Sequence, residues 1–189
     1  MAPMSLDVQL GWFMKFLPSI CESSASAQTL IEHGTQTMIV GGSIRLGCSP
    51  IYLTLYGTPN HDDYEPRTGC LKWANELSEY HDHLLQKEIQ RARRKHSHAT
   101  IAFADYYNIL KLVYRSPNEY GFSSGRALIA CCGGGGPYNV NMTNGNNGLS
   151  ICRNPSSLVS WDGLHLTEAA YRVIARALSE GPYSVPPLA

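Results

Sequence analysis

The chain has 189 residues, 43% hydrophobic and 16% charged, which suits one globular domain with a real core and excludes a disordered polypeptide. Lys plus Arg and Asp plus Glu stand at 15 each, so the formal net charge is zero and no nucleic-acid or anionic-membrane footprint is expected. No apolar run is long enough to span a bilayer.

Met1 to Ile20 does not have the form of a signal peptide: early basic residues are missing and Lys15 interrupts the apolar stretch. Leu6 to Ile20 reads as a short helix ending near Pro18, and Glu22 to Ala27, small and polar, as a joint. Thr29 to His33 closes a helix with Gly34 as its stop. Thr37 to Val40 is an apolar run before Gly41-Gly42, the pattern of a buried strand ending in a tight loop. Cys48 to Glu65, punctuated by Pro, Gly, Asn and Asp, reads as a long loop. Leu71 to His96 is the clearest helix, with Leu77, Tyr80, Leu84 and Ala92 near one face, joined by Trp73 and Ile89. Arg91, Arg93, Arg94 and Lys95 close it, where the helix dipole favours cations.

Thr100 to Phe103 is a second buried strand, and Asp105 opens a helix through Val113 that Ser116-Pro117 halts. Ala127 to Cys131 reads as a third extended piece, and Gly133 to Gly148 as irregular. Thr167 to Leu178 is an amphipathic helix with Thr167 as N-cap, followed by a proline-rich tail from Gly181 to Ala189. Strands alternating with helices argue for an α/β fold with a parallel sheet.

Asp162-Gly163-Leu164-His165 is the tetrapeptide richest in chemistry. A carboxylate three residues before a histidine, in a turn opening a helix, can accept a hydrogen bond from one ring nitrogen and leave the other to take a proton from a hydroxyl. Gly163 lets such a turn form. The competing reading is an aspartate that caps a helix beside an ordinary histidine. His81-Asp82-His83 and His96-Ser97-His98 look like metal ligands, but side chains two apart on a helix diverge, so neither a metal nor a cofactor is expected. Gly133 to Gly136 is not followed by the Lys-Ser/Thr of a phosphate loop. Cys131 and Cys132 are either thiol nucleophiles or structural, and Trp161 is either core or a substrate platform. Cys21, Cys48, Cys70, Cys131, Cys132 and Cys152 are compatible with disulfides or with buried thiols, and Asn141-Met142-Thr143 is a glycosylation sequon.

Ser160-Trp161-Asp162-Gly163-Leu164-His165-Leu166-Thr167-Glu168-Ala169-Ala170-Tyr171 resembles the last conserved block of plant GDSL esterases/lipases, the SGNH hydrolase family. Gly47-Cys48-Ser49-Pro50, Gly69-Cys70-Leu71-Lys72-Trp73, Ala104-Asp105-Tyr106-Tyr107 and Ala130-Cys131-Cys132-Gly133-Gly134-Gly135-Gly136-Pro137-Tyr138-Asn139 resemble further blocks, and Leu6 to Phe13 an earlier segment. The resemblance implies an incomplete flavodoxin-like, SGNH-type doubly wound parallel sheet flanked by helices. It implies one partial domain: residues 1–24 as a family segment upstream of an apparent deletion, and residues 28–187 as the C-terminal part.

It further implies a carboxylic-ester hydrolase whose catalytic residues here are Asp162 and His165, a small-molecule acyl ester as substrate, and no metal or cofactor. No nucleic acid and no membrane span are expected. Secretion follows from the family alone, since no signal peptide is visible, and so does pairing of Cys48 with Cys70 and of Cys131 or Cys132 with Cys152. The family draws its nucleophile from a Gly-Asp-Ser block and an oxyanion donor from a Gly-x-Asn block between the Trp12 and Gln28 segments; this sequence carries no Gly-Asp-Ser, and no Gly-x-Asn stands at that place. Gly41-Gly42-Ser43-Ile44-Arg45 replaces the usual Pro-Gly-Asn loop, and its Ser43 is a stray hydroxyl rather than an expected nucleophile. Such a chain is expected to be inactive as written, or to act as a binding protein.

Overall fold

A computed structural model describes residues 30–140 and 150–188. The expected helix from Leu6 to Ile20, the joint at Glu22 to Ala27 and the Asn141 sequon lie outside the described residues. Residues 30–32 are helical and end at Gly34, where the backbone turns left-handed at φ +96°.

Strand β1 (Thr37–Gly41) runs parallel to β2 (Thr100–Ala104), in register from Thr37 opposite Thr100 to Gly41 opposite Ala104. On the other side of β2 lies the short antiparallel β5 (Ser184–Val185), which the proline-rich tail supplies. Helix α2 (Lys72–Lys95) is the crossover between the two parallel strands, as such a connection requires. Arg93 near its end donates from Nε to the carbonyl of Ile101 at 2.8 Å and from Nη2 to that of Val185, tying the helix terminus to both β2 and β5. The expected α/β sheet with helices on it is therefore present.

β2 is buried from Ile101 to Ala104, as its composition predicts. β1 departs from expectation. Thr37, Ile39 and Gly41 are exposed, Ile39 at 53%, on the sheet face opposite Met38 and Val40, and among the described residues β1 pairs with β2 alone. Its inner residues Met38 and Val40 pack with Ile31, Ile89, Ile101 and Phe103.

The expected long loop from Cys48 to Glu65 instead contains helix α1 (Pro50–Tyr56). Proline at its first position needs no N–H partner, and Pro50 and Leu53 bury the face that meets Leu71 and Ala74. In α2, of the residues expected on the inner face only Ile89 is fully buried. Ala74, Asn75, Ser78, Asp82 and Ile89 are buried, whereas Tyr80 is exposed and Leu77 and Leu84 are half-buried. The buried stripe is polar over its first turns because it hydrogen-bonds the loop after β1: Asp82 Oδ1 accepts from Ser43 N at 2.6 Å and Asn75 Oδ1 from Gly47 N at 3.0 Å.

Helix α3 (Tyr106–Arg115) starts where predicted, Asp105 accepting from Asn108 N at 3.0 Å. Helix α4 (Glu168–Glu180) likewise follows Thr167, whose Oγ1 accepts from Ala170 N at 3.2 Å. The main core lies between them, from Ile109, Leu110, Val113, Val159, Ala170 and Ile174. The third extended piece is shorter and later than expected. Ala127 and Leu128 turn, and Ala130 makes one parallel bridge to Ser160. Regular pairing begins with β3 (Cys132–Gly133) antiparallel to β4 (Ser150–Ile151). The segment at Ser160 turns back to bridge Leu166, and beside it Cys131 N donates to Ser160 O at 3.0 Å.

Candidate active site

The loop before α4 folds back on itself. Thr167 N donates to Val159 O at 2.9 Å, Trp161 N donates to His165 O at 2.8 Å, and Ser160 bridges Leu166. At the tip sits the turn from Asp162 to His165. Gly163 takes φ +99° there, and a Cβ at that position would stand 2.6 Å from Val140 Cγ2, so backbone and packing both demand glycine. Asp162 Oδ1 accepts from Leu164 N at 2.9 Å and His165 N at 2.7 Å, while Oδ2 meets His165 Nδ1 at 2.7 Å. The aspartate thus caps its own turn and orients the imidazole with the same carboxylate; the cap of α4 is Thr167. With Nδ1 as donor to Asp162, Nε2 on the far side of the ring is free to accept a proton.

Partial burial pushes the Asp162 carboxyl up. The hydrogen bonds from the His165 ring and from the His165 and Leu164 amides outweigh this and hold it below the ordinary aspartate value. The pair is open to solvent, with the His165 side chain 65% exposed and that of Asp162 37%.

Two serines hold the turn in place. Buried Ser49 donates from Oγ to Gly163 O at 2.6 Å, and Ile51 N adds a second donor at 3.1 Å. Buried Ser160 accepts from Gly163 N at 3.0 Å and donates to His165 O at 3.4 Å. No role for either serine was read from the sequence. Ser49 sits in the Gly47 to Pro50 block, but its partner is 114 residues away, and no local pattern announces that. A small, largely apolar cavity opens beside the turn, lined by Ile44, Ser49, Leu110, Tyr114, Leu164 and Leu166. Ile44 follows β1, so the cavity lies at the C-terminal end of a parallel strand, where α/β sheets bind ligands.

Behind Ser49 lies a charged brace. Arg45, 2% exposed, reaches Glu65 Oε1 with Nη2, approaches Cys48 Sγ with Nε at 3.5 Å, and lies 4.8 Å over the Tyr107 ring. Glu65 also accepts from Asn75 Nδ2 at 2.9 Å and Thr68 Oγ1 at 2.6 Å. Burial raises the Glu65 carboxyl, but the hydrogen bonds from Thr68 and Asn75 and the Arg45 charge bring it below its usual value. Gly47 is closed in: a Cβ would stand 2.1 Å from Leu71 O.

Both disulfides form as the resemblance implies, Cys48 with Cys70 and, of the two alternatives, Cys131 with Cys152. Cys131 is therefore no nucleophile, and Cys132 is a half-buried thiol whose N–H donates to Trp161 O at 2.6 Å. Trp161 is half-buried. Ser43 Oγ donates to Ile44 O at 3.1 Å. His81 Nδ1 lies 2.9 Å from Asp82 Oδ1, and the His96 and His98 rings meet edge to face at 6.1 Å. Among the described residues no three His, Cys, Asp or Glu side chains are grouped to hold a metal, and no helix is long and apolar enough to cross a membrane.

A family model described as GDSL-like Lipase/Acylhydrolase matches residues 15–178. A GDSL esterase/lipase of Arabidopsis thaliana is 47% identical over 176 residues, which is 92% of this chain and 44% of that protein. A second Arabidopsis GDSL esterase/lipase is 45% identical over 169 residues, 88% of this chain and 44% of the relative. Sinapine esterase of Brassica napus is 42% identical over 187 residues, 97% of this chain and 48% of the enzyme. The chain thus spans less than half the length of these curated relatives.

Proposed function

Because the chain belongs to the GDSL-like lipase/acylhydrolase family, we propose that it carries the Asp–His part of a serine-dependent carboxylic-ester hydrolase. The carrying observation is the 2.7 Å contact from Asp162 Oδ2 to His165 Nδ1, in a turn whose Leu164 lines a small cavity. A serine hydroxyl attacks the ester carbonyl, His165 Nε2 takes its proton and returns it to the leaving alcohol, and Asp162 fixes the ring and stabilises the imidazolium. Water then releases the acyl group by the same route. The substrate is a small-molecule acyl ester, the class to which sinapine esterase owes its name. Residues 28–187 are the C-terminal part of the domain, and residues 1–24 a family segment ahead of a deletion. The two disulfides favour an oxidising, secretory setting, with Asn141 as a glycosylation site.

A second reading has its own observation. No Gly-Asp-Ser occurs in the sequence, so His165 has no family nucleophile to activate, and the chain as written acts by binding rather than by turnover. Hydrolysis of a short p-nitrophenyl ester by the purified chain, beside His165→Ala, separates the two. Turnover lost in the variant supports an active hydrolase with a surrogate nucleophile. Rates equal to the variant's support the inactive reading.

A further inference from the structure

The turn that carries Asp162 and His165 leans on a second segment besides Ser49 and Ile51. Ala130 bridges Ser160, Cys131 N donates to Ser160 O at 3.0 Å, and Cys132 N donates to Trp161 O at 2.6 Å, so residues 130–132 pair with the stretch that enters the turn. Further along the same segment Val140 packs on Gly163, close enough that a Cβ there would stand 2.6 Å from its Cγ2. Ala130 N also donates to Tyr138 O at 3.0 Å, and Asn139 Nδ2 to Ala130 O at 2.9 Å, which ties the two ends of the segment into one unit. The Cys131–Cys152 disulfide fastens that unit to β4, and Cys152 N donates to Cys131 O at 2.8 Å beside it. Burial adds little to this tie: β4 pairs with β3 over two residues, and Ser150 and Ile151 are both exposed, Ile151 at 64%.

The two disulfides differ in access. Cys48 and Cys70 are both 0% exposed, whereas Cys131 is 1% exposed and Cys152 half-buried. An attacking thiolate needs a line of approach to one sulfur, so Cys152 Sγ is the reachable end. We propose that the Cys131–Cys152 disulfide positions the Asp162–His165 turn, and that a small dithiol, by reducing it, loosens the turn while the core stays folded. One thiolate of the dithiol attacks Cys152 Sγ, forming a mixed disulfide and releasing Cys131 as its thiolate. The second thiol of the reductant then displaces Cys152, leaving two cysteine thiols and the oxidised reductant, two electrons and two protons having passed to the protein. β4 comes away, the 130–140 segment loses its fastening, and the Cys131 and Cys132 amides no longer fix Ser160 and Trp161. The main core contains Cys48 and Cys70 and neither Cys131 nor Cys152, so it survives the opening of this bond. The consequence for catalysis rests on the hydrolase reading above: the pair is ordered in an oxidising compartment and slack in a reducing one.

The test titrates the purified full chain with dithiothreitol near neutral pH. At each step alkylation traps the thiols, non-reducing peptide mapping locates the remaining cystines, and NMR reads amide exchange residue by residue, with p-nitrophenyl acetate hydrolysis followed alongside. Cys131–Cys152 should open before Cys48–Cys70, and the amides of Gly163, Leu164 and His165 should then exchange about 10-fold faster or more. Ile109, Val113 and Ile174 should keep their protection, and re-oxidation should restore the turn. Cys131→Ala combined with Cys152→Ala should show the loosened turn without reductant and lose the response to dithiothreitol. A turn that responds in a chain hydrolysing nothing in either state supports the disulfide's role and sinks the hydrolase reading; a His165-dependent rate that falls as the bond opens supports both. Turn amides unmoved while Cys131–Cys152 is open overturn that role. So does Cys48–Cys70 opening first, loss of protection by core and turn together, or a double variant that does not fold.

Discussion

Replacing Gly163 by alanine puts the site's local geometry to its hardest test. At φ +99° an alanine pays a torsional cost of about 1–2 kcal/mol. Its Cβ would also stand 2.6 Å from Val140 Cγ2, and Val140 is 8% exposed, so it has little room to withdraw. Overpacking of that kind adds about 1–3 kcal/mol. Together the variant should lose about 2–5 kcal/mol, a drop in Tm of about 4–20 °C for a chain of this size. Two assays are needed, because loss of stability alone does not locate the damage. Thermal unfolding by circular dichroism gives the magnitude. Carbon NMR of the Asp162 carboxyl gives the place: if the turn opens, the hydrogen bonds from Leu164 N, His165 N and His165 Nδ1 weaken, and the depressed carboxyl rises toward its ordinary value. Val140→Ala in the same background should relieve the steric share but not the torsional one, a coupling of about 1 kcal/mol or more. A Gly163→Ala chain that melts with the parent and leaves the Asp162 titration unchanged would refute this account of the turn.

Glu65→Gln leaves the 2%-exposed Arg45 without its carboxylate and should destabilise by about 2–4 kcal/mol, the lower end being favoured because Glu65 is itself 27% exposed. Its pH signature follows from the lowered Glu65 carboxyl: the stabilisation is complete above the unfolded value near 4.3 and is lost as pH falls through the lower folded value. Urea midpoints for parent and variant over the acid range should therefore converge on acidification, and a constant gap would count against the brace. Ser49→Ala removes one of two donors to Gly163 O and should cost about 1–2 kcal/mol locally. Amide exchange at Leu164 and His165 should speed by about 5- to 30-fold, and unchanged exchange would show that Ile51 N alone holds the turn.

Much of the fold was legible where local chemistry decides it. Asp105 and Thr167 announce α3 and α4 because a side-chain oxygen accepting a nearby N–H is a local event, and Asp162 with His165 lies within four residues. Elsewhere the deciding partner is remote. Ile51, Tyr52 and Thr54 favour strands, so α1 was hidden, and only Pro50 after Ser49 signalled its start. β1 reads as buried because its residues suit burial, but whether both faces of a strand are covered depends on what packs there, and only the Met38 and Val40 face is covered among the described residues. The polar stripe Asn75, Ser78 and Asp82 defeats a search for apolar periodicity because its partners are the backbone amides of Gly47, Leu46 and Ser43 and the Glu65 carboxylate, all in other segments. The pairing of cysteines came from resemblance to a family and from no spacing rule.

The contact between Ser49 and Gly163 also constrains the order of events in folding. It spans 114 residues, so it must await closure of most of the described chain, whereas Asp162 and His165 are separated by two residues. The dyad is local in sequence but anchored by one of the longest-range contacts in the molecule. During refolding, α3 and α4 can collapse on each other before the Gly163 carbonyl finds its serine. Substitutions at Ser49 should then speed unfolding and leave the folding rate nearly unchanged, which is the kinetic mark of a contact made after the barrier.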